Sequence, residues 1–412
     1  MKYIILLGDG MADYPLSDLY GETPLEFAYT PNMDSLAVRG TVGLIDTVPS
    51  GFAPGSDVAN LSVLGYDPRE CHTGRAPLEA ASMGVSLSPD DVAFRCNLVT
   101  LGSTEGGTVM EDFTAGHITS EESSPIIETL NRELASPDIK FYPGVGYRHL
   151  MVYNRGPVSL NTTPPHDITG KPIDVRLPKG DGSEKIVALM ERSRDILKDH
   201  PVNRERASAG KKTADSIWLW GEGRAPGLEP MTAKYGIKGG IISAVDLLKG
   251  IGIYAGLEVL HVAGATGYSD TDYAGKARKA LEYLTHGDFV FLHVEAPDEM
   301  GHEGDIEGKI RAIEDFDEKV VGTILSGVEA LGSFRIMVLS DHPTPISLKT
   351  HASDPSPFVV LSSVAGENIP SARGSFNEVS AQNADITVSP GFLLMDYFMS
   401  NWREFIEKKG RV

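Results

Sequence analysis

The chain has 412 residues, 41% hydrophobic and 23% charged, with 37 Lys and Arg against 57 Asp and Glu and a formal net charge of −20. That length exceeds one ordinary core and implies two domains. The composition is that of a globular protein, and the acidity argues against a general binder of nucleic acid or of anionic membrane. The two cysteines, Cys71 and Cys96, exclude a disulfide framework or a four-cysteine zinc site and suit a reducing compartment.

In chain order, Tyr3–Leu7 is a continuous, β-prone apolar run of the kind found in a central parallel strand covered on both faces. The run is too short, and an acid follows too soon, for a signal peptide, and no apolar stretch reaches bilayer length, so a cytoplasmic location is expected. It breaks at Gly8-Asp9-Gly10. Ligands of open α/β sheets gather beyond the carboxyl ends of strands, which gives Asp9 the address of a site residue. In Ala53–Asn60, Ser56 opens a helical stretch. A hydroxyl there usually serves as a cap. It also suits a nucleophile toward phosphorus, because helix N–H groups and the dipole stabilise phosphate oxygens. Cys71-His72 is too incomplete a motif for a metal site.

From about Asp91 to Asp181 the texture changes to short strand-like runs: Ala93–Leu98, Lys140–Pro143, His149–Tyr153 and Asn161–Pro165. A helical run, Glu184–Leu197, and a basic stretch, Asn203–Lys212, follow, and Ile217–Trp220 reads as the return to the first core. This predicts a smaller α+β domain at 86–212 inserted into a core made of 1–85 and 213–412. Gly210-Lys211-Lys212-Thr213 lacks the upstream glycine of a phosphate loop, and Gly221–Pro226 fails the dinucleotide fingerprint at its third glycine.

Strand and helix then alternate. Phe289–Val294 is a strand followed by Asp298 and His302, whose i, i+4 spacing places a carboxylate and an imidazole on one helix face. Lys309–Leu325 has helical spacing, with Ile310, Ile313, Phe316, Val320 and Ile324 apolar. Phe334–Leu339 is a strand ending in Asp341-His342, and His351 lies in the loop before the strand Pro357–Leu361. Each polar residue has an ordinary reading: a chance pair, a cap, a buried histidine, a surface histidine. Taken together they lie where a metal-assisted phosphoryl-transfer site would. The fold class is α/β, with a mainly parallel sheet flanked by helices.

Five segments go further: Gly8-Asp9-Gly10-Met11-Ala12-Asp13, Pro54–Pro68 with its Gly55-Ser56-Asp57-Val58-Ala59-Asn60-Leu61-Ser62 run, Gly74-Arg75-Ala76-Pro77, Ala296–His302, and Ser340-Asp341-His342-Pro343. They resemble the archaeal-type 2,3-bisphosphoglycerate-independent phosphoglycerate mutase family of the alkaline phosphatase superfamily. The resemblance implies an alkaline-phosphatase-like core interrupted by a substrate-binding domain. It implies Asp9, Ser56, Asp341 and His342 as ligands of one divalent ion and Asp298, His302 and His351 as ligands of another. Manganese is the family's usual ion, with cobalt, magnesium or zinc as alternatives. Ser56 is implied as the serine that takes up the phosphoryl group while 3-phosphoglycerate and 2-phosphoglycerate interconvert, a step of glycolysis and gluconeogenesis.

A mutase must keep water off its phosphoserine, which gives the inserted segment the role of a lid carrying cations for the substrate. Arg148, Arg204, Arg206 and Lys212 are candidates for those cations, and Asp112, His117, His149, His166 and Asp167 for a proton shuttle. The first choices are Arg148, Arg206 and His166. A metal-dependent phosphatase or another phosphomutase of the superfamily would share the core ligands. A kinase of a small alcohol such as homoserine is a further alternative, against which the missing phosphate loop counts.

Overall fold

The strand Lys2–Gly8 is buried from Ile4 onward and lies inside an eight-stranded sheet. In this computed structural model, residues 1–370, 374–408 and 410 are described. The sheet order is Thr387–Val388, Thr41–Ile45, Ser356–Ser362, Phe334–Leu339, Lys2–Gly8, Phe289–Val294, Gly239–Ile242, Glu258–Val259. Lys2–Gly8 pairs in parallel with Phe289–Val294 on one side and with Phe334–Leu339 on the other. Ser356–Ser362 runs antiparallel to both of its neighbours, so the sheet is mainly parallel, with one reversed strand. The three central strands end in register. Leu7 faces both His293 and Leu339, so the segments after Gly8, Val294 and Leu339 leave the sheet side by side.

The stretch read as helical at 309–325 is one long helical segment. Ile306–Asp315 passes into a π-helical turn, Phe316–Val321, and continues as Gly322–Val328. Ile313, Phe316, Val320 and Ile324 are fully buried against the sheet residues Ile4, Leu6 and Val338. Each such side chain contributes about 1.5–3 kcal/mol of burial free energy. Among the described residues no helix is long and apolar enough to cross a membrane.

The chain divides into two units, Met1–His72 with Gly227–Val412, and Thr73–Pro226. The second therefore reaches further in both directions than 86–212. Its sheet is antiparallel. Asp91–Thr104 pairs with Gly107–Asp112, with Arg148–Asn154 and with Ser216–Gly223, and Ile139–Tyr142 extends it beyond Arg148–Asn154. Ile217–Trp220 is thus a strand of this unit, not a return to the first core. An apolar run announces burial but not which sheet it joins.

Asn161–Pro165, read as strand-like, forms an isolated bridge to Lys179 and then a 3-10 turn at Pro165–Ile168. Ser120–Leu134 is a helix that the pattern reading passed over, because Pro125 and a Ser/Glu-rich start look like loop. Its Thr119/Glu122 capping box is the signal that marks it. With Ser183–Leu197 it covers a core containing Phe94, Leu98, Ile127 and Trp218.

Candidate active site

Ser56 is the first residue of the helix Ser56–Val63, which is buried throughout. Asn60, one turn on, donates to the Ser56 carbonyl at 2.9 Å and to Asp341 Oδ2 at 2.8 Å. That amide fixes the helix start against the segment that follows Phe334–Leu339. Asp341 Oδ1 accepts from the Gly10 N–H at 3.1 Å, which ties the same segment to the one that follows Lys2–Gly8. Gly10 itself sits at φ +58, and a Cβ there would come within 2.5 Å of Asp298 Oδ1. Only glycine admits this approach.

The sequence-derived residues converge. His342 Nε2 lies 3.3 Å from Ser56 Oγ, 3.4 Å from Asp9 Oδ1 and 3.6 Å from Asp341 Oδ2. Asp298 Oδ2 is 3.2 Å from His302 Nε2, Asp298 Oδ1 is 3.6 Å from His351 Nε2, and the two imidazole nitrogens are 3.0 Å apart. Asp9, Asp341 and His342 bring ligand atoms within 4.8 Å of one another, as do Asp298, His342 and His351.

The three imidazoles are oriented alike. Nδ1 of His302 faces the Lys349 carbonyl, and Nδ1 of His351 faces the Pro54 carbonyl. Nδ1 of His342 faces Thr344 Oγ1, whose proton goes to Asp298. Each Nδ1 is thereby engaged outward, and each Nε2 is turned inward. This is the arrangement that metal-binding histidines adopt.

The electrostatics call for cations. Burial raises the Asp9 carboxyl well above its ordinary range, and the charges of Asp341, Glu295 and Asp298 add to the effect. Glu295 is raised for the same reasons, burial first and then Asp298 and Glu299. Among the described residues, Asp9 Oδ1 and Glu295 Oε2 are buried without a hydrogen-bond partner, with His293 Nε2 3.5 Å from the latter. Burial would also raise Asp298, but hydrogen bonds from His302 and His351 hold it well below the usual range. The same bond to Asp298 raises His302 to about 9, so that a proton occupies the place of a cation. Orphaned oxygens beside inward-facing imidazoles fit divalent ions.

Residues 37–203 match the family described as 2,3-bisphosphoglycerate-independent phosphoglycerate mutase. A Geobacter sulfurreducens protein named a probable member is 54% identical over 399 residues, covering 97% of this chain and all of the relative. The chain belongs to the 2,3-bisphosphoglycerate-independent phosphoglycerate mutase family. A Methanosarcina mazei member is 57% identical over 362 residues, 87% of this chain and 90% of its own. Among solved structures, a Pyrococcus horikoshii protein aligns at TM-score 0.80 and 30% identity over 97% of each chain. A cofactor-independent phosphoglycerate mutase of Thermoplasma acidophilum aligns at TM-score 0.65 and 27% identity over 97% of this chain and 99% of that one.

In this mutase-family chain the structure adds residues that sequence reasoning missed. His293 donates from Nε2 to Asp9 Oδ2 at 2.7 Å while Ser243 Oγ faces its Nδ1 at 3.2 Å. Burial and the nearby Lys276 ammonium push His293 down to about 3, so it is a neutral donor that orients Asp9. A lone histidine at the penultimate position of the apolar strand Phe289–Val294 was the available signal.

The substrate-binding candidates fare unequally. Arg206 is a correction. It is 2% exposed, and its guanidinium is taken up by Glu122 and by the carbonyls of Lys212, Ala115 and Gly116. Four of its five N–H donors are spent inside the second unit, and the buried guanidinium is not presented to a ligand. Lys212 pairs with Asp112 at 3.1 Å. Arg148 is exposed beside the Tyr147 ring, and His166 stands edge-on to Trp220 at 5.6 Å. Another neighbour of that indole is a residue not singled out from sequence: Arg95, with its guanidinium 4.0 Å from the ring centroid. Burial lowers Arg95, and Arg75 and Arg148 lower it further; His166 is lowered by burial and then by Arg95 and Arg75. Arg95 and His166 thus both contact the Trp220 indole, with Arg75 and Arg148 near enough to act on Arg95 and with Glu79 as the carboxylate bound to Arg95 at 3.0 Å.

Proposed function

We propose that this chain interconverts 3-phosphoglycerate and 2-phosphoglycerate through a phosphoserine at Ser56, without 2,3-bisphosphoglycerate. The observation that carries the reading is the buried convergence of Ser56, Asp9, Asp341 and His342 at a helix N-terminus in a chain 54% identical to a relative named for this activity. Asp9, Asp341, His342 and Ser56 would hold one divalent ion, and Asp298, His302 and His351 the other. Bound ions of this kind neutralise phosphate charge and lower the pKa of a coordinated hydroxyl. Manganese is our assignment.

Ser56 Oγ attacks phosphorus in line, the bond between phosphorus and the glycerate oxygen breaks, and the serine proton passes to that oxygen. The N–H groups of the first turn of Ser56–Val63 face the transferring phosphoryl oxygens. Return of the phosphoryl group to the other glycerate hydroxyl regenerates Ser56. Substrate binding falls to the second unit, where Arg75, Arg95 and Arg148 suit carboxylate and phosphate by bidentate pairing and His166 offers a single N–H. A cytoplasmic location goes with this role.

The test is conversion of 3-phosphoglycerate by manganese-loaded protein with no bisphosphoglycerate present. Turnover should stop on chelation and in Ser56→Ala, whose metal content should stay largely intact through the remaining ligands. Phosphate release without isomerisation would instead mark a phosphatase, and full turnover in Ser56→Ala would remove the nucleophile assignment.

A further inference from the structure

Asp13 belongs to the first sequence motif yet has no part in the chemistry above, and its partner is unexpected. Lys309, inside the helix Ile306–Asp315, is fully buried. Its ammonium donates to Asp13 Oδ2 at 2.6 Å, to the Thr344 carbonyl at 2.9 Å and to the Ala12 carbonyl at 3.3 Å. All three donors are thus satisfied, and the three acceptors come from two different loops. Ala12 and Asp13 follow the strand that presents Asp9. Thr344 follows the strand that presents Asp341 and His342.

The loops are bound to each other around this ammonium. Ala12 N–H donates to Ser340 Oγ at 3.2 Å, and Thr344 N–H donates to the Ala12 carbonyl at 3.2 Å. The Asp13 carboxylate accepts the Ile346 N–H, at 3.2 Å for Oδ1 and 3.1 Å for Oδ2. Asp13 N–H in turn donates to the buried Glu378 carboxyl at 2.9 Å. Thr344 then reaches the ligands themselves. Its hydroxyl donates to Asp298 and faces His342 Nδ1 at 3.3 Å. From Lys309 to both candidate ion sites there is one intervening residue.

We infer that the buried Lys309–Asp13 pair is a positioning device that sets the register between the Asp9 loop and the Asp341–His342 loop, and through Thr344 orients both candidate ion sites. A buried charge pair is poor evidence of stabilisation in its own right, since its desolvation offsets much of the attraction. It does impose geometry, because each partner is satisfied in only one arrangement of the two loops. Residues that orient ligands typically change metal affinity 10–100-fold when removed. The inference rests on the metal-centre reading above.

The experiment titrates manganese into wild type, Lys309→Met and the double variant Lys309→Met/Asp13→Asn by calorimetry. The melting temperature of each metal-free protein is recorded alongside. The single variant leaves a carboxylate buried without its cation and is expected to melt lower. The double variant removes both charges, keeps an acceptor for Ile346 N–H, and is expected to recover most of that melting temperature. Manganese affinity of the double variant should nonetheless remain at least tenfold below wild type. Its kcat should fall while its KM for 3-phosphoglycerate stays within about twofold, given the scale of such outer-residue effects.

Wild-type affinity in the double variant would overturn the inference and leave the metal centre intact. Recovery of affinity in step with melting temperature would also overturn it, by showing a purely structural pair. Absence of manganese binding in wild type would overturn this inference and the metal-centre reading together.

Discussion

His149 offers a sharp test of the second unit, because it is not among the candidate metal ligands. It is 2% exposed, and its Nδ1 accepts the Gly144 N–H at 3.0 Å, so the ring proton sits on Nε2. Nε2 is buried with no partner among the described residues. Burial pushes the imidazole down to about 4. The folded protein therefore binds fewer protons than the unfolded chain between pH 4 and 6.5. The stability this neutral ring confers is complete above pH 6.5 and is lost as pH falls toward 4. A displacement from 6.5 to about 4 corresponds to about 3 kcal/mol.

His149→Asn keeps an acceptor for Gly144 in the same place and abolishes the titration. Urea unfolding between pH 7 and 4, followed by tryptophan fluorescence, reads the effect. Trp218 and Trp220 lie in the second unit, and a Trp402→Phe background silences the remaining indole. Wild type should lose about 3 kcal/mol more than the variant across that range, with a difference in slope of about one proton. Parallel losses in the two proteins would refute the argument from burial, whatever the variant's stability at pH 7.

Gly10→Ala places a methyl group 2.5 Å from Asp298 Oδ1 and 2.8 Å from Asp298 Cα at a left-handed φ of +58. Manganese affinity should fall at least about tenfold, as for other changes to ligand positioning, and unchanged calorimetric binding would show that the loop shifts freely. Arg206→Met should destabilise the second unit by about 2–4 kcal/mol, because it leaves Glu122 and buried carbonyls without their donor, while KM of the folded enzyme stays within about twofold. Arg148→Met should do the reverse, raising KM about tenfold through the loss of a charge-assisted contact with little change in melting. A large KM effect in the Arg206 variant would return that residue to the substrate site.

These contrasts follow from what a one-dimensional pattern encodes. Asp9, Asp298, Asp341 and His342 were legible because an apolar strand that stops at a polar residue marks a sheet's carboxyl edge, and the parallel register brings three such ends together. Ser56 was legible because the start of a helix has its own composition. Arg206 was misread because a basic stretch says nothing of Glu122, 84 residues away, which absorbs its charge. Lys309 was passed over for the opposite reason. Within an amphipathic stretch a lysine reads as solvated, and only tertiary contact shows an ammonium enclosed by Asp13 and two carbonyls. Ile217–Trp220 carried a correct statement about burial and none about its partner, Asp91–Thr104.

The same limit applies to charge. Counting carboxylates and imidazoles along the sequence gives a list of ligands, but the protonation of those ligands depends on their enclosure. Burial raises the Asp9 and Glu295 carboxyls well above their ordinary range, and the contact with Asp298 raises His302 to about 9. A divalent ion bound there would favour the deprotonated ligands, which couples ion affinity to pH. His293 stands apart from that coupling. Being neutral at all but strongly acidic pH, it keeps its bond to Asp9 Oδ2 whether or not the other oxygen is occupied. That bond fixes the orientation of Asp9 with Oδ1 left for an ion. The centre can then load an ion with little rearrangement of the loop that also carries Gly10 and Asp13, and that is the condition under which a rigid clamp at Lys309 is useful.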